Sequence, residues 1–302
     1  MNKIPVMGTV SRAYGFVLGE FGTIVRLTWA PLLLAAGLSL MYGGQAIDAM
    51  IASKGDPNTQ LQYAPMQFLL GLASFAAGIM ATVALLRVVI FGDRKTGLFV
   101  YLWLGGAEFR LIIVTVLLVV ALIAAAIATV LVFAVLGALA SAIPALGVVV
   151  GIGGVLLIPV LIWAALRLSL VGPVVVAEKS LGVERSWALM KGNALRMFLV
   201  LLLTLLPFAI LTALMAFVIL GADFPPFPKF PAAAGQDAEA TRAAAEVFGK
   251  AMEDWQLKFS GAIRLHWVEF GIFGFITNMI QIALLAGVQG SAYAALAGEP
   301  HE

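Results

Sequence analysis

A chain of 302 residues would ordinarily make one or two soluble domains. Here 62% apolar residues against 11% charged, with a mean hydropathy of +1.06, exclude that class and point to a polytopic membrane protein. A net charge of +2 is too small to argue for nucleic acid as a partner, and the lack of cysteine excludes disulfides, thiolate chemistry and Cys-rich zinc sites together.

In chain order, six apolar runs stand at 27–47, 66–90, 111–140, 146–166, 197–220 and 267–285. A helix needs roughly 20 such residues to cross a bilayer core. The fold class expected is therefore all-α, a polytopic membrane protein with six transmembrane helices, and 1–302 reads as one six-span membrane domain. Gly44 and Ala46 imitate a signal cleavage site behind the first run. However, 26 residues carrying Lys3, Arg12 and Arg26 precede that run, too many for a signal n-region, so it reads as a retained helix. Between Arg110 and Arg167 lie 56 consecutive uncharged residues, enough for two spans and a turn, which GALASAIP at 137–144 supplies.

Lys and Arg orient the spans. Twelve fall on the side of the N-terminus and six on the other, and five of those six sit in the one long loop, leaving Lys54 alone in the short ones. Both termini, Lys95 and Lys191 are then cytoplasmic, and Lys54 and Trp255 are outside.

One pattern recurs three times, at 11–92, 98–172 and 183–295. An aromatic residue stands five before a glycine, at Tyr14 and Gly19, Tyr101 and Gly106, Trp187 and Gly192. A basic residue follows before the apolar run, at Arg26, Arg110 and Arg196. After the second and fourth spans come ALLRVVIFG and AALRLSLVG, containing Arg87 with Gly92 and Arg167 with Gly172. The sixth span ends in a degenerate copy, with Ala286 in place of the arginine and Gly290 after it. The unit is a short cytoplasmic interfacial helix, a glycine break and a two-helix hairpin, and three such units share one orientation.

The loop 221–266 is the one long hydrophilic piece. Its start, FPPFPKFP, favours extended geometry. A helix is expected from near Asp237, supported by Glu246–Lys250 and Asp254–Lys258 at i,i+4. Phe248, Met252, Trp255, Phe259 and Ala262 form one stripe that packs on the bundle or bilayer surface, or docks a membrane-protein partner.

Candidate functional residues lie at the cytoplasmic level. Arg87 and Arg167, at the ends of their spans, either snorkel to lipid phosphate or form a defined phosphate site, because a guanidinium can hold a phosphate through two parallel hydrogen bonds. Arg185, Trp187, Lys191 and Arg196 have the basic and aromatic mixture of a segment lying among headgroups, either docking there or recognising anionic lipid. Asn278 and Gln281 share a helix face and suit interhelical hydrogen bonding. Glu269 reads as interfacial beside Trp267 and Phe270, and Gly147 with Gly151 forms a small-residue contact face. Two histidines, His266 and His301, are too few for a metal cage. No catalytic residue, cofactor or metal is expected, since no nucleophile elbow, phosphate loop, HExxH helix or dinucleotide fingerprint is present.

The stretch from Arg167-Leu-Ser-Leu through Pro173 and Glu178 to ERSWALMKGN (184–193) and Phe198 resembles the signature of bacterial six-span membrane proteins. These are related to the membrane domain found beside some glycerophosphoryl diester phosphodiesterases. The likeness extends in layout along the chain, including Tyr293 after the last span. Met190 stands where threonine is commoner, and Ala194-Leu195 replace a pair that usually holds an aromatic. No part of the sequence reads as the phosphodiesterase barrel. The resemblance implies a non-catalytic protein of the bacterial cytoplasmic (inner) membrane, a scaffold or lipid-contacting factor in envelope maintenance. A transporter or flippase-like carrier of an amphiphilic or lipid substrate is the alternative.

Overall fold

A chain with this little polar surface must satisfy its backbone N–H and C=O groups within each segment, which in an apolar solvent leaves the helix. The computed structural model describes residues 2–52, 57–94, 100–229 and 238–298. Among them there are helices, turns and irregular segments but no strand. The helices are α1 (Val6–Gly19), α2 (Phe21–Ala52), α3 (Pro57–Phe91), α4 (Gly106–Ala142), α5 (Pro144–Leu168), α6 (Val171–Glu178), α7 (Val183–Leu189), α8 (Ala194–Leu220), α9 (Ala238–Leu265) and α10 (Trp267–Ala297). Six stretches are long and apolar enough to cross a membrane, and they coincide with the six runs in the sequence.

By packing, the chain divides into two units. Unit 1 comprises residues 1–30, 78–206 and 280–302, and unit 2 comprises 31–77 and 207–279. The divisions within α2 and α8 fall at Pro31 and Pro207. There the ring removes one helical donor and crowds the preceding turn, a recurrent cause of local distortion.

Unit 1 has a continuous core. Ile4, Ala13, Leu170, Val174, Met190, Met197 and Val288 are buried in one cluster, drawn from the N-terminal arm, α1, the α5–α6 turn, α6, the α7–α8 turn, α8 and α10. Two glycines of α10 permit close helix approach. A Cβ on Gly287 would stand 3.0 Å from Ala13 Cα, and one on Gly290 2.5 Å from Val89 Cγ1. In unit 2 the loop before α9 folds onto that helix. Phe227 stacks on Trp255 at 4.8 Å and Trp255 on Phe259 at 5.0 Å, with Phe224 edge-on to both α9 rings, and Trp255 Nε1 donates to the Pro225 carbonyl at 3.0 Å.

Several expectations are corrected. The turn between the two uncharged spans falls within 137–144 but is narrower than expected, because α4 continues to Ala142 and only Ile143 is non-helical before Pro144 opens α5. Small residues do not end a helix, whereas a proline at the first helical position starts one. A short helix leads into the first and third hairpins, α1 and α7, but residues 100–105 before the second are not helical. Of the three glycines that follow the even spans, only Gly92 ends a helix, with φ +68°. Gly172 lies inside α6, whose Val171, Pro173, Val174, Val175 and Val176 are buried, and Gly290 lies inside α10. A Cβ built on Gly147 or Gly151 would meet nothing within 4 Å beyond its own helix, so no neighbouring element packs on this small-residue face among the described residues. The stripe of α9 packs through Trp255 and Phe259 on the proline-rich part of its own loop. The expected ion pairs form, Lys250 to Glu246 at 2.9 Å and Lys258 to Asp254 at 2.7 Å. Lys54, Lys95, Asp237 and His301 lie outside the described residues.

Candidate functional site

The candidate residues gather in unit 1, where each arginine at the end of an even span meets the residues that follow it. Arg87, near the end of α3, donates from Nη1 to Tyr101 Oη at 3.2 Å, and its Nη2 lies 3.5 Å from Glu108 Oε1. Tyr101 donates in turn to the same carboxylate oxygen at 3.1 Å. The other oxygen, Oε2, accepts the Gly105 N–H at 3.0 Å. A glutamate three residues into α4 that reaches back to the preceding backbone amide is half of a capping box, and glycine cannot supply the other half. Glu108 is fully buried. Burial, with the adjacent Glu108 charge adding to it, pushes the Tyr101 hydroxyl up to about 12.

Arg167 has a different environment. Its guanidinium carbon lies 5.0 Å from the centre of the Trp163 ring and 4.8 Å from that of Trp187, and those indoles meet edge to face at 5.3 Å. Nη1 donates to the Trp187 carbonyl at 2.9 Å, and no carboxylate pairs with it among the described residues. Its Nε is buried without a hydrogen-bond partner. Two aromatic faces therefore compensate this cation in part, leaving an unneutralised charge beside an exposed tryptophan. Ser186 fixes the geometry from beneath, donating to the Arg167 carbonyl at 2.9 Å and accepting the Leu170 N–H at 3.2 Å. It thereby joins α7 to the α5–α6 turn.

The other candidates are scattered around these two. Arg185 Nε pairs with Glu178 Oε1 at 3.1 Å, an oxygen that also accepts from Tyr293 Oη at 3.0 Å. Lys191 is exposed and makes no side-chain pair among the described residues. Arg196 Nη1 donates to the Ile4 carbonyl at 3.1 Å, while Asn193 Oδ1 accepts the Ile4 N–H at 3.1 Å. A further pair joins Arg94 to Glu20 through Nη2 and Nε, and Arg26 donates to the Arg94 carbonyl at 2.6 Å. The Arg94 hydrogen bond is the main reason the Glu20 carboxyl lies below its ordinary range. Among the described residues of unit 1, eleven Lys and Arg stand against five Asp and Glu.

Sequence reasoning found Arg87, Arg167 and Trp187 but missed their partners. Tyr101 was visible only as an element of a repeat and Ser186 only within the stretch that carries the resemblance, while Glu108 and Trp163 had no signal of their own. Asn278 and Gln281 do not act as interhelical links: both are exposed and neither makes a side-chain hydrogen bond among the described residues. No group of three or more His, Asp or Glu that could hold a metal is present among those residues. Comparison of the chain with protein-family models, with curated proteins and with solved structures finds no match.

Proposed function

We propose that this chain is a non-catalytic integral protein of a bacterial inner membrane that contacts anionic lipid headgroups with unit 1, as a scaffold or lipid-contacting factor in envelope maintenance. The observation that carries the reading is Arg167, a guanidinium set against two indoles and paired with no carboxylate among the described residues. Tryptophan and arginine together suit the headgroup level, where a ring is half solvated and a cation meets phosphate. The excess of basic over acidic residues supports placing this surface on the cytoplasmic leaflet, since each cation near an anionic leaflet contributes about 1 kcal/mol. The resemblance of 167–198 to bacterial six-span proteins points the same way. A threefold hairpin organisation is supported by three contacts. Arg87 reaches Tyr101, Arg167 reaches Trp187, and Gly287 packs on Ala13, so the ends of the first two hairpins meet the aromatic of the next unit and the end of the third meets α1.

Arg87 is neutralised by Glu108 and Arg167 is not, so the two arginines should differ in lipid contact. Bound anionic lipid, quantified by mass spectrometry after purification, is expected to fall in Arg167→Lys and to stay near the wild-type level in Arg87→Lys. Equal retention in both would reject the headgroup role of Arg167. A carrier of amphiphiles is the second reading, favoured by a cavity beside Asn278 in unit 2. Movement of a fluorescent phospholipid between leaflets of reconstituted vesicles tests it.

A further inference from the structure

Unit 2 contains a cavity of about 230 Å³ walled by α2, α3 and α10. Its lining is apolar except for Ser39, Ser74, Asn278 and the ring of Trp267, whose Nε1 is already used by the Leu40 carbonyl at 3.0 Å. No charged residue lines it. The remaining three polar side chains make no hydrogen bond among the described residues. A hydroxyl in a span can instead return to the carbonyl four residues back. Those of Thr28, Thr129, Thr212 and Thr277 do so, each at 2.8 Å, although that of Thr204 does not. Gly274 in the lining borders open space, since a Cβ built on it meets nothing within 4 Å, so a large side chain there would enter the cavity. Along α10 the wall runs from Trp267 to Asn278, about 16 Å at 1.5 Å per residue, or half of a bilayer core.

We infer that this cavity is a binding site for one acyl chain of a membrane lipid together with its neutral hydrogen-bonding group, an ester or hydroxyl. The apolar wall suits the chain. Ser39, Ser74 and Asn278 supply the donors and acceptors that an ester or hydroxyl needs, and the lack of any cation or carboxylate in the lining leaves the charged headgroup outside. The volume lies below the roughly 300–1,000 Å³ of sites enclosing a drug-sized ligand, which fits one chain and not a whole two-chain lipid. The site contains no basic residue, so it stands without the headgroup contact at Arg167.

The test uses full-length protein in phosphatidylcholine vesicles containing a phosphatidylcholine with a diazirine in one acyl chain. Photoadducts are mapped by peptide mass spectrometry. Adducts per residue are expected to be at least about threefold higher at 32–40 and 267–278 than on the outward faces of α4 and α5. Gly274→Leu should abolish that enrichment, while Gly71→Leu, at an exposed glycine of α3 with no atom within 4 Å, should leave it unchanged. Asn278→Leu keeps the spans apolar and should lower it at least twofold. An even spread of adducts over all lipid-facing helices, or full enrichment in a folded Gly274→Leu protein, would overturn the assignment. Loss at the cavity with normal lipid retention by Arg167 would separate this site from the headgroup contact.

Discussion

The ion pair between Arg87 and Glu108 should be strongly asymmetric in its response to mutation. The charged atoms are 3.5 Å apart, so at an effective dielectric near 20 their gross attraction is about 5 kcal/mol, most of it offset by desolvation. The two partners differ in what their loss leaves behind. Glu108 is wholly enclosed, whereas 23% of the Arg87 side chain is exposed. Arg87→Met therefore strands a buried carboxylate, which still holds the Tyr101 hydroxyl and the Gly105 amide, and should cost about 3–5 kcal/mol. Glu108→Gln leaves a guanidinium that can turn toward water or headgroups while the amide keeps part of the hydrogen bonding, and should cost about 1.5–3 kcal/mol. The double variant should be milder than the sum of the two, with a coupling of about 1–3 kcal/mol. Reversible unfolding in mixed micelles, followed by circular dichroism, reads all three. Additive losses, or an Arg87→Met protein no less stable than Glu108→Gln, would refute the reasoning.

Three further outcomes are expected. Cysteines placed singly into this cysteine-free chain at Lys191 and Trp255 should react differently with an impermeant maleimide on intact spheroplasts, the second labelled and the first not; labelling of the Lys191 position would reverse the proposed topology. Deleting 236–260 removes the rings that cover Phe224 and Phe227 but none of the apolar spans, so protease mapping should still find the sixth span inserted, and its loss would make the loop part of the insertion signal. Because Arg94 lowers the Glu20 carboxyl, the contact stabilises the fold above the ordinary glutamate range and is lost as pH falls through the depressed value. Hydrogen exchange at residues 19–24 should accelerate in acid in the wild type, and equal acid sensitivity in Glu20→Gln would contradict this.

The spans were legible because apolar length is a property of composition, and all six runs reappear as helices. Their ends were not. Helix α2 begins at Phe21 and α4 runs to Ala142, since hydropathy marks where the solvent changes and not where backbone hydrogen bonding stops. Arg87 and Arg167 drew attention because a guanidinium at a span end can reach lipid phosphate, yet the same pattern hid their difference. Nothing in the sequence marks Glu108, two residues after Gly106, as buried, and the second indole, Trp163, stands in an apolar run like any other span aromatic. Helix α6 was unreadable for a related reason: an apolar stretch after a span, here running up to Glu178, looks like more span until the turn at Ser169 is seen. The cavity was invisible because a glycine in an apolar run reports a missing side chain but not whether a neighbour fills the gap.

The N-terminal arm carries a consequence for biosynthesis. The backbone of Ile4 is held at both its polar groups by Asn193 and Arg196, Asn193 also donates to the Asn2 carbonyl, and the Ile4 side chain is fully buried. These partners are 189 and 192 residues later in the chain. At about 5–20 residues per second, the arm emerges from the ribosome some 10–40 s before anything exists for it to pair with. The first four spans must therefore enter the bilayer while the start of the chain is undocked, and closure of the arm becomes a late step set by synthesis of α8. A large fusion at the amino terminus would act on that step and not on insertion, giving protein that is fully integrated but slow to mature.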